Sequence, residues 1–307
     1  MQVKPNPDEA PTPICKKLVL VTLLLLLFAG CAVRLRERIS GAELAPAWQK
    51  ATLAELLERV RAHEEAIETF QATVEIEPSV TSVQRSEIVH YRDVRAFILI
   101  RRPAFLRMIG LYPVAQTRAF DMASDGERFG LYIPARNRFI IGNSQGGRHS
   151  DTALENLRPQ HILDALLWRG PETGREQAVL EAASEGPKNY YIVHVLRSAG
   201  ERGLVLARNL WFERQKLSLE RMQIFEEDGE EVTDARYSNY AEFSGIPYAQ
   251  KITIDRPKDH YGLALTVSKL AFNQPLEDEK FRMEQPPGTE LIDLEKQSLP
   301  GKANDIG

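Results

Sequence analysis

Phe70-Gln71-Ala72-Thr73-Val74-Glu75-Ile76-Glu77 alternates apolar and polar side chains without a break and stops at Pro78. A period of two puts Phe70, Ala72, Val74 and Ile76 on one face of an extended strand, with the polar residues on the other. Just upstream the period changes. Leu53, Leu56, Leu57, Val60, Ala66 and Ile67 recur at helical spacing, and Thr52 with Glu55 three residues on has the capping-box spacing of a helix start. Downstream the strand-like pattern continues at 88–100, 105–111, 117–123, 128–133 and 138–141. Arg-Arg-Pro-Ala, Ser124-Asp125-Gly126-Glu127 and Pro134-Ala135-Arg136-Asn137 are the turns between most of these. A polar, glycine-containing loop at 143–151 interrupts the series, and a second helix is expected after Pro159, with Ile162, Leu163, Leu166 and Leu167 on one side. Strands resume at 177–183, 190–196, 204–213, 217–225, 232–240, 248–255 and 263–272, with hairpin signals at Gly200-Glu201-Arg202-Gly203 and Asp228-Gly229.

Links this short suit antiparallel neighbours, because a parallel crossover needs roughly a dozen residues. Two or three helices cannot cover both faces of so many strands. The expected fold class is therefore α+β and mostly antiparallel: an incomplete, half-open barrel of about 11 strands, curled as a large sheet must be, with helices packed in its concave face. Leu291, Ile292 and Leu294 offer a last edge strand before a disordered tail at 296–307.

The N-terminus has a different character. Lys16-Lys17 precedes an apolar run from Leu18 to Phe28, then Ala29-Gly30-Cys31. A basic pair, a short apolar core and small residues before a cut describe a secretory signal over 1–30. The run is well short of the roughly 20 residues that span a bilayer. An ordinary signal peptide and a single membrane anchor are the alternatives. The segment resembles the lipobox of bacterial lipoproteins, with Phe28 where leucine is usual. That resemblance implies that the Cys31 sulfur carries the lipid anchor, palmitate included, and that 31–50 is a tether to a domain over 51–295. Cys15 leaves with the signal and Cys31 is occupied, so the mature chain has no disulfide. Removing 1–30 takes three lysines and two acids and moves the net charge from −4 to about −5, which with 27% charged residues argues against a nucleic-acid surface. Arg101-Arg102 and Arg136/Arg138 read as solvated strand ends.

Several local patterns, in this order, resemble the LolA/LolB family of bacterial lipoprotein carriers and receptors. They are Ile67-Glu68-Thr69-Phe70-Gln71-Ala72, Arg102-Pro103-Ala104-Phe105-Leu106-Arg107, and Ala123-Ser124-Asp125-Gly126-Glu127-Arg128-Phe129 leading to Tyr132-Ile133-Pro134. Pro159-Gln160-His161-Ile162-Leu163-Asp164-Ala165-Leu166, Ile246-Pro247-Tyr248 and Phe272-Asn273-Gln274-Pro275-Leu276 follow. The resemblance implies an open barrel with a helical lid, holding acyl chains of lipoproteins or lipids in its hollow. With the anchor it implies a LolB-like receptor on the periplasmic face of the outer membrane, with a periplasmic LolA-like carrier as partner and no cofactor. The candidate cavity residues are Phe97, Leu99, Met108, Phe120, Met122, Leu131, Trp211 and Phe225, each of which has plain core as its alternative. Ile109-Gly110-Leu111-Tyr112-Pro113-Val114 joins two strands without polar turn residues. LolB-like receptors carry a protruding apolar loop there, so Leu111, Tyr112 and Val114 are expected to touch membrane or cargo, or else to pack under a helix.

No enzyme is expected. Gly142-Asn143-Ser144-Gln145-Gly146 fits the G-x-S-x-G expression, which needs a strand, a sharp turn and a helix in a parallel sheet. Asp255, Asp259 and His260 follow in triad order, but the surroundings read antiparallel. The six histidines form no H-x-H or H-x-x-x-H pair, so no metal is expected. Glu226-Glu227-Asp228-Gly229-Glu230-Glu231 reads as a solvated turn rather than a calcium loop. A scaffold or sensor of the same fold, its hollow filled by its own side chains, is the second reading.

Overall fold

The computed structural model describes residues 48–82, 87–90, 93–146 and 156–296. Cys31, the segment before it, most of the tether and residues 297–307 lie outside the described residues. Two helices are described, α1 (Leu53–Ala66) and α2 (Pro159–Leu166). The strands are β1 (Thr69–Ser82), β2 (Glu87–His90), β3 (Val94–Arg101), β4 (Phe105–Leu111), β5 (Arg118–Ser124), β6 (Arg128–Ile133) and β7 (Arg138–Asn143). Then come β8 (Glu176–Glu185), β9 (Lys188–Ser198), β10 (Leu204–Glu213), β11 (Leu219–Phe225), β12 (Glu231–Phe243), β13 (Ile246–Arg256), β14 (Tyr261–Phe272) and β15 (Glu290–Asp293).

All fifteen strands form one sheet, in the order β15-β7-β6-β5-β4-β3-β1-β14-β13-β12-β11-β10-β9-β8 with β2 beside β1. The chain starts at the centre with β1 and works outward to β7. After α2 it begins again at the far edge with β8 and returns strand by strand to β14 beside β1. Every pairing is antiparallel except β15 on β7. The edges β8 and β15 do not pair, so the sheet is open. The expected strand count was too low. The stretch 88–100 divides into β2 and β3, and β1 runs on through Pro78. Pairing of β1 with β3 ends at Ile76 and pairing with β2 starts at Ser79, so Pro78 falls where the ladder on that side is interrupted.

The core lies on one face. Phe70, Ala72, Val74 and Ile76 of β1 join Ile98, Leu106, Met122, Leu131, Val193, Leu210, Tyr248 and Leu265 in a single cluster with α1 and α2. Fifteen strands laid flat would be roughly 65 Å across, whereas a 14-residue helix is about 21 Å long. The eight-residue α2 packs against β5 and is also hydrogen-bonded by Tyr237 of β12 and Tyr248 of β13, six and five strands away in the order, so the sheet curls about it.

The helices are set by local chemistry. The Thr52 hydroxyl accepts from the Glu55 amide (3.3 Å) while the Thr52 amide donates to the Glu55 carboxylate (2.7 Å), a complete capping box. Leu56, Val60 and His63 are the buried stripe of α1. Pro159 opens α2 at a position where its missing N–H costs nothing. At the other end, Tyr237 donates to the Ala165 carbonyl (2.8 Å) and Tyr248 to the Leu166 carbonyl (2.7 Å), satisfying groups the helix leaves orphaned. Burial pushes both phenols well above their usual range, which keeps these donors protonated.

The opposite, outer face is partly covered by the segment after β14. Phe281 packs on Phe105 with ring centres 5.5 Å apart, and the Arg101 guanidinium lies over both rings. Arg107 grips the buried Asp121 in a two-pronged ion pair (2.6 and 2.7 Å) and also donates to the carbonyls of Lys280 and Arg282. The chain then reaches the far edge as β15.

A cleft between the first helix and the late strands

A cleft of about 920 Å³ opens between α1, the loop after α2 and strands β8–β11. Leu57 of α1, Leu167, Ala178 of β8, Ala207 of β10, and Met222 and Ile224 of β11 give it apolar lining. The charged residues of the lining are mostly paired. Glu58 meets Arg61 (2.7 Å), Glu64 meets Arg102 (3.7 Å), Asp164 meets Arg169 (3.3 Å), Glu172 meets Arg175 (3.5 Å) and Glu176 meets Arg208 (2.6 Å). Glu64 also accepts the Gly170 amide (3.0 Å), which ties the loop after α2 to α1. Burial pushes the Asp164 carboxyl upward, opposed by Arg169 and by a hydrogen bond from Gln160. Next to Leu167 in the chain, Trp168 belongs to an aromatic cluster in the core. His63 stacks on Trp168 at 3.9 Å and 12°, and Trp168 meets Tyr237 edge-on.

The cavity residues expected from the sequence do not converge on this cleft. Met108, Met122 and Leu131 lie side by side on the helix-covered face, fully packed in the core. Phe120 is on that face too, half-buried, its ring lying on Gly110, where an added Cβ would come within 2.3 Å of it. Phe97, 41% exposed, and Leu99 are on the outer face, because β3 buries Val94, Ala96, Ile98 and Ile100 instead. Trp211 is also outer, donating its indole N–H to Gln223 (2.8 Å). Phe225 sits at the β-bulge that ends β11. None of the eight lines the cleft. The residues that do could have been found partly from α1, where Ala54, Leu57 and Arg61 form a second stripe beside the buried one.

Leu111 and Tyr112 are half-buried where β4 ends, and a tight loop follows, closed by hydrogen bonds between Tyr112 and Thr117 and between Gln116 and Tyr112. At its tip Val114 is 97% exposed.

Ser144 is one residue beyond β7, in an antiparallel hairpin, 1% exposed, with its hydroxyl 2.8 Å from that of Ser124. Asp259 is engaged by the Arg256 guanidinium (2.6 Å). The acidic run 226–231 closes the β11–β12 hairpin round Lys258, whose ammonium reaches Glu226 (2.6 Å), Glu230 (2.7 Å) and Asp228 (3.4 Å). The hydrogen bonds it donates to Glu226 and Glu230 push that ammonium's pKa up. Among the described residues no group of three or more His, Cys, Asp or Glu side chains is placed to hold a metal.

An open antiparallel sheet curled on two helices, with a ligand-sized cleft beside the first of them, defines the class of architecture. No family model matches the sequence, and no curated protein matches it significantly. Among solved structures the chain is similar to a LolA superfamily protein from Nitrosomonas europaea, at 15% identity and a TM-score of 0.47, covering 76% of this chain and 99% of that one. It is similar to a DUF1329 family protein from Desulfovibrio piger at 13% identity and a TM-score of 0.49, covering 74% and 94%. A domain from Vibrio parahaemolyticus named for outer membrane lipoprotein sorting gives 14% identity and a TM-score of 0.44, covering 74% and 94%.

Proposed function

We propose that this chain is a non-enzymatic binding protein of the bacterial envelope, anchored by lipid at Cys31, that takes an acyl chain of a lipoprotein or lipid into the cleft beside α1. The observation that carries the reading is the cleft's construction. Its volume of about 920 Å³ falls in the range of small-molecule sites, and Leu57, Leu167, Ala207, Met222 and Ile224 give it an apolar wall beside its charged residues. Each methylene buried there contributes about 0.8 kcal/mol, so a long chain binds without any reactive group. Val114, at the tip of the β4–β5 loop, is the point of contact with the outer membrane on its periplasmic side, and a soluble periplasmic carrier is the expected source of cargo.

The packing of Met108, Met122 and Leu131 favours a second reading, an envelope scaffold or sensor whose hollow is filled by its own side chains. A titration with a fluorescent fatty acid separates the two. Binding is expected to saturate, and Leu57→Glu, which puts a charge among the half-buried lining residues, is expected to weaken it about tenfold or more while leaving the melting temperature within a few degrees. Absence of saturable binding by the unaltered protein would favour the scaffold.

A further inference from the structure

We infer that the cleft recognises the anionic headgroup of a single-chain amphiphile, a carboxylate or a phosphate, through Arg197. This rests on the acyl-binding reading and specifies its ligand. Among the described residues, all five carboxylates lining the cleft, Glu58, Glu64, Asp164, Glu172 and Glu176, have an arginine partner. Arg197 also lines the cleft and makes neither an ion pair nor a hydrogen bond there through its side chain, and its Nε–H is buried without a partner. Glu176 stands opposite it across the β8–β9 ladder, but its Oε2 is taken by Arg208 (2.6 Å) and the Glu172 amide (2.9 Å).

A second unsatisfied donor is close by. Arg208 spends its Nη2 on Gly170 and Glu176, and leaves its own buried Nε–H unpaired. In the β9–β10 ladder Arg208 faces Val195, two residues from Arg197 on the same face, so the two arginines are diagonal neighbours on the sheet and both line the cleft. Buried N–H groups without acceptors are costly. A guanidinium fork meets a carboxylate or phosphate with two parallel hydrogen bonds, which a neutral hydroxyl cannot match. An arginine without a carboxylate partner in the same cleft as Met222 and Ile224 suits a ligand with one anionic end and one apolar chain.

Calorimetry of the mature protein with dodecanoate, dodecyl phosphate and dodecanol tests this. The protein is expected to bind one or both anions at least tenfold more tightly than the alcohol, and the preferred anion distinguishes a fatty acid from a phospholipid source. Arg197→Gln should bring the anion-to-alcohol ratio to within about threefold; Arg197→Lys should fall between. An unchanged ratio in Arg197→Gln, or no preference in the unaltered protein, overturns the headgroup inference and leaves acyl binding standing. Failure of all three ligands to bind overturns both.

Discussion

His63 carries a buried imidazole whose Nε2 has no partner, pressed flat against Trp168, whose own indole N–H is also unpaired. Burial, with the Arg102 charge a smaller contribution, depresses its pKa from 6.5 to about 4. Above pH 6.5 the ring is neutral in folded and unfolded chains alike, and stability does not depend on its titration. As the pH falls from 6.5 towards 4, the unfolded chain binds a proton that the folded one refuses. Stability drops over that window by something on the order of 3 kcal/mol. Denaturant melts between pH 7 and 4 should show that slope, and His63→Leu should reduce it, leaving the part set by His161, whose imidazole is also held well below its usual value by burial and the Arg256 charge; a slope unchanged by the substitution would mean that other groups set the acid sensitivity. The histidine was legible only as a polar interruption in the helix. Its stacking partner is more than a hundred residues away, beyond the reach of any local pattern.

Elements bounded by turn or capping residues were read well. Strands β4, β6 and β10 have the expected bounds, the Thr52–Glu55 capping box formed, and an edge strand followed residue 281. Elements apolar on both faces were not. In β3, Val94-Arg95-Ala96-Phe97-Ile98-Leu99-Ile100 offers hydrophobic residues to either side, so alternation does not say that Phe97 and Leu99 face outward. The β4–β5 connection was legible by what it lacks, polar turn residues, and the structure puts its valine in solvent. A Val114→Cys variant carrying an environment-sensitive dye, in the acylated protein on vesicles, should shift to the blue as the tip enters the bilayer. The same dye at Phe97→Cys should not. Equal spectra at both positions would remove the loop from the membrane.

For the whole molecule, curling was predictable from the number of strands and the scarcity of helices, whereas the position of the open space was not. The hollow was expected among eight residues, of which Met108, Met122 and Leu131 are packed in the core while Phe97, Leu99 and Trp211 face outward. The cleft lies instead toward the β8 edge, between α1, the loop after α2 and strands β8–β11, with the Glu176–Arg208 ion pair in its lining. Leu57, Leu167 and Met222 meet only after the return from β8 to β14 is complete, and no single stretch encodes that meeting. The most direct test is photo-crosslinking with a diazirine-bearing fatty acid, followed by mapping of the modified residues. Adducts on Leu57, Leu167, Met222 or Ile224 are the predicted result; adducts confined to Phe97, Leu99 or Trp211 on the outer face, or none that an excess of unlabelled fatty acid suppresses, would contradict an acyl chain in the cleft.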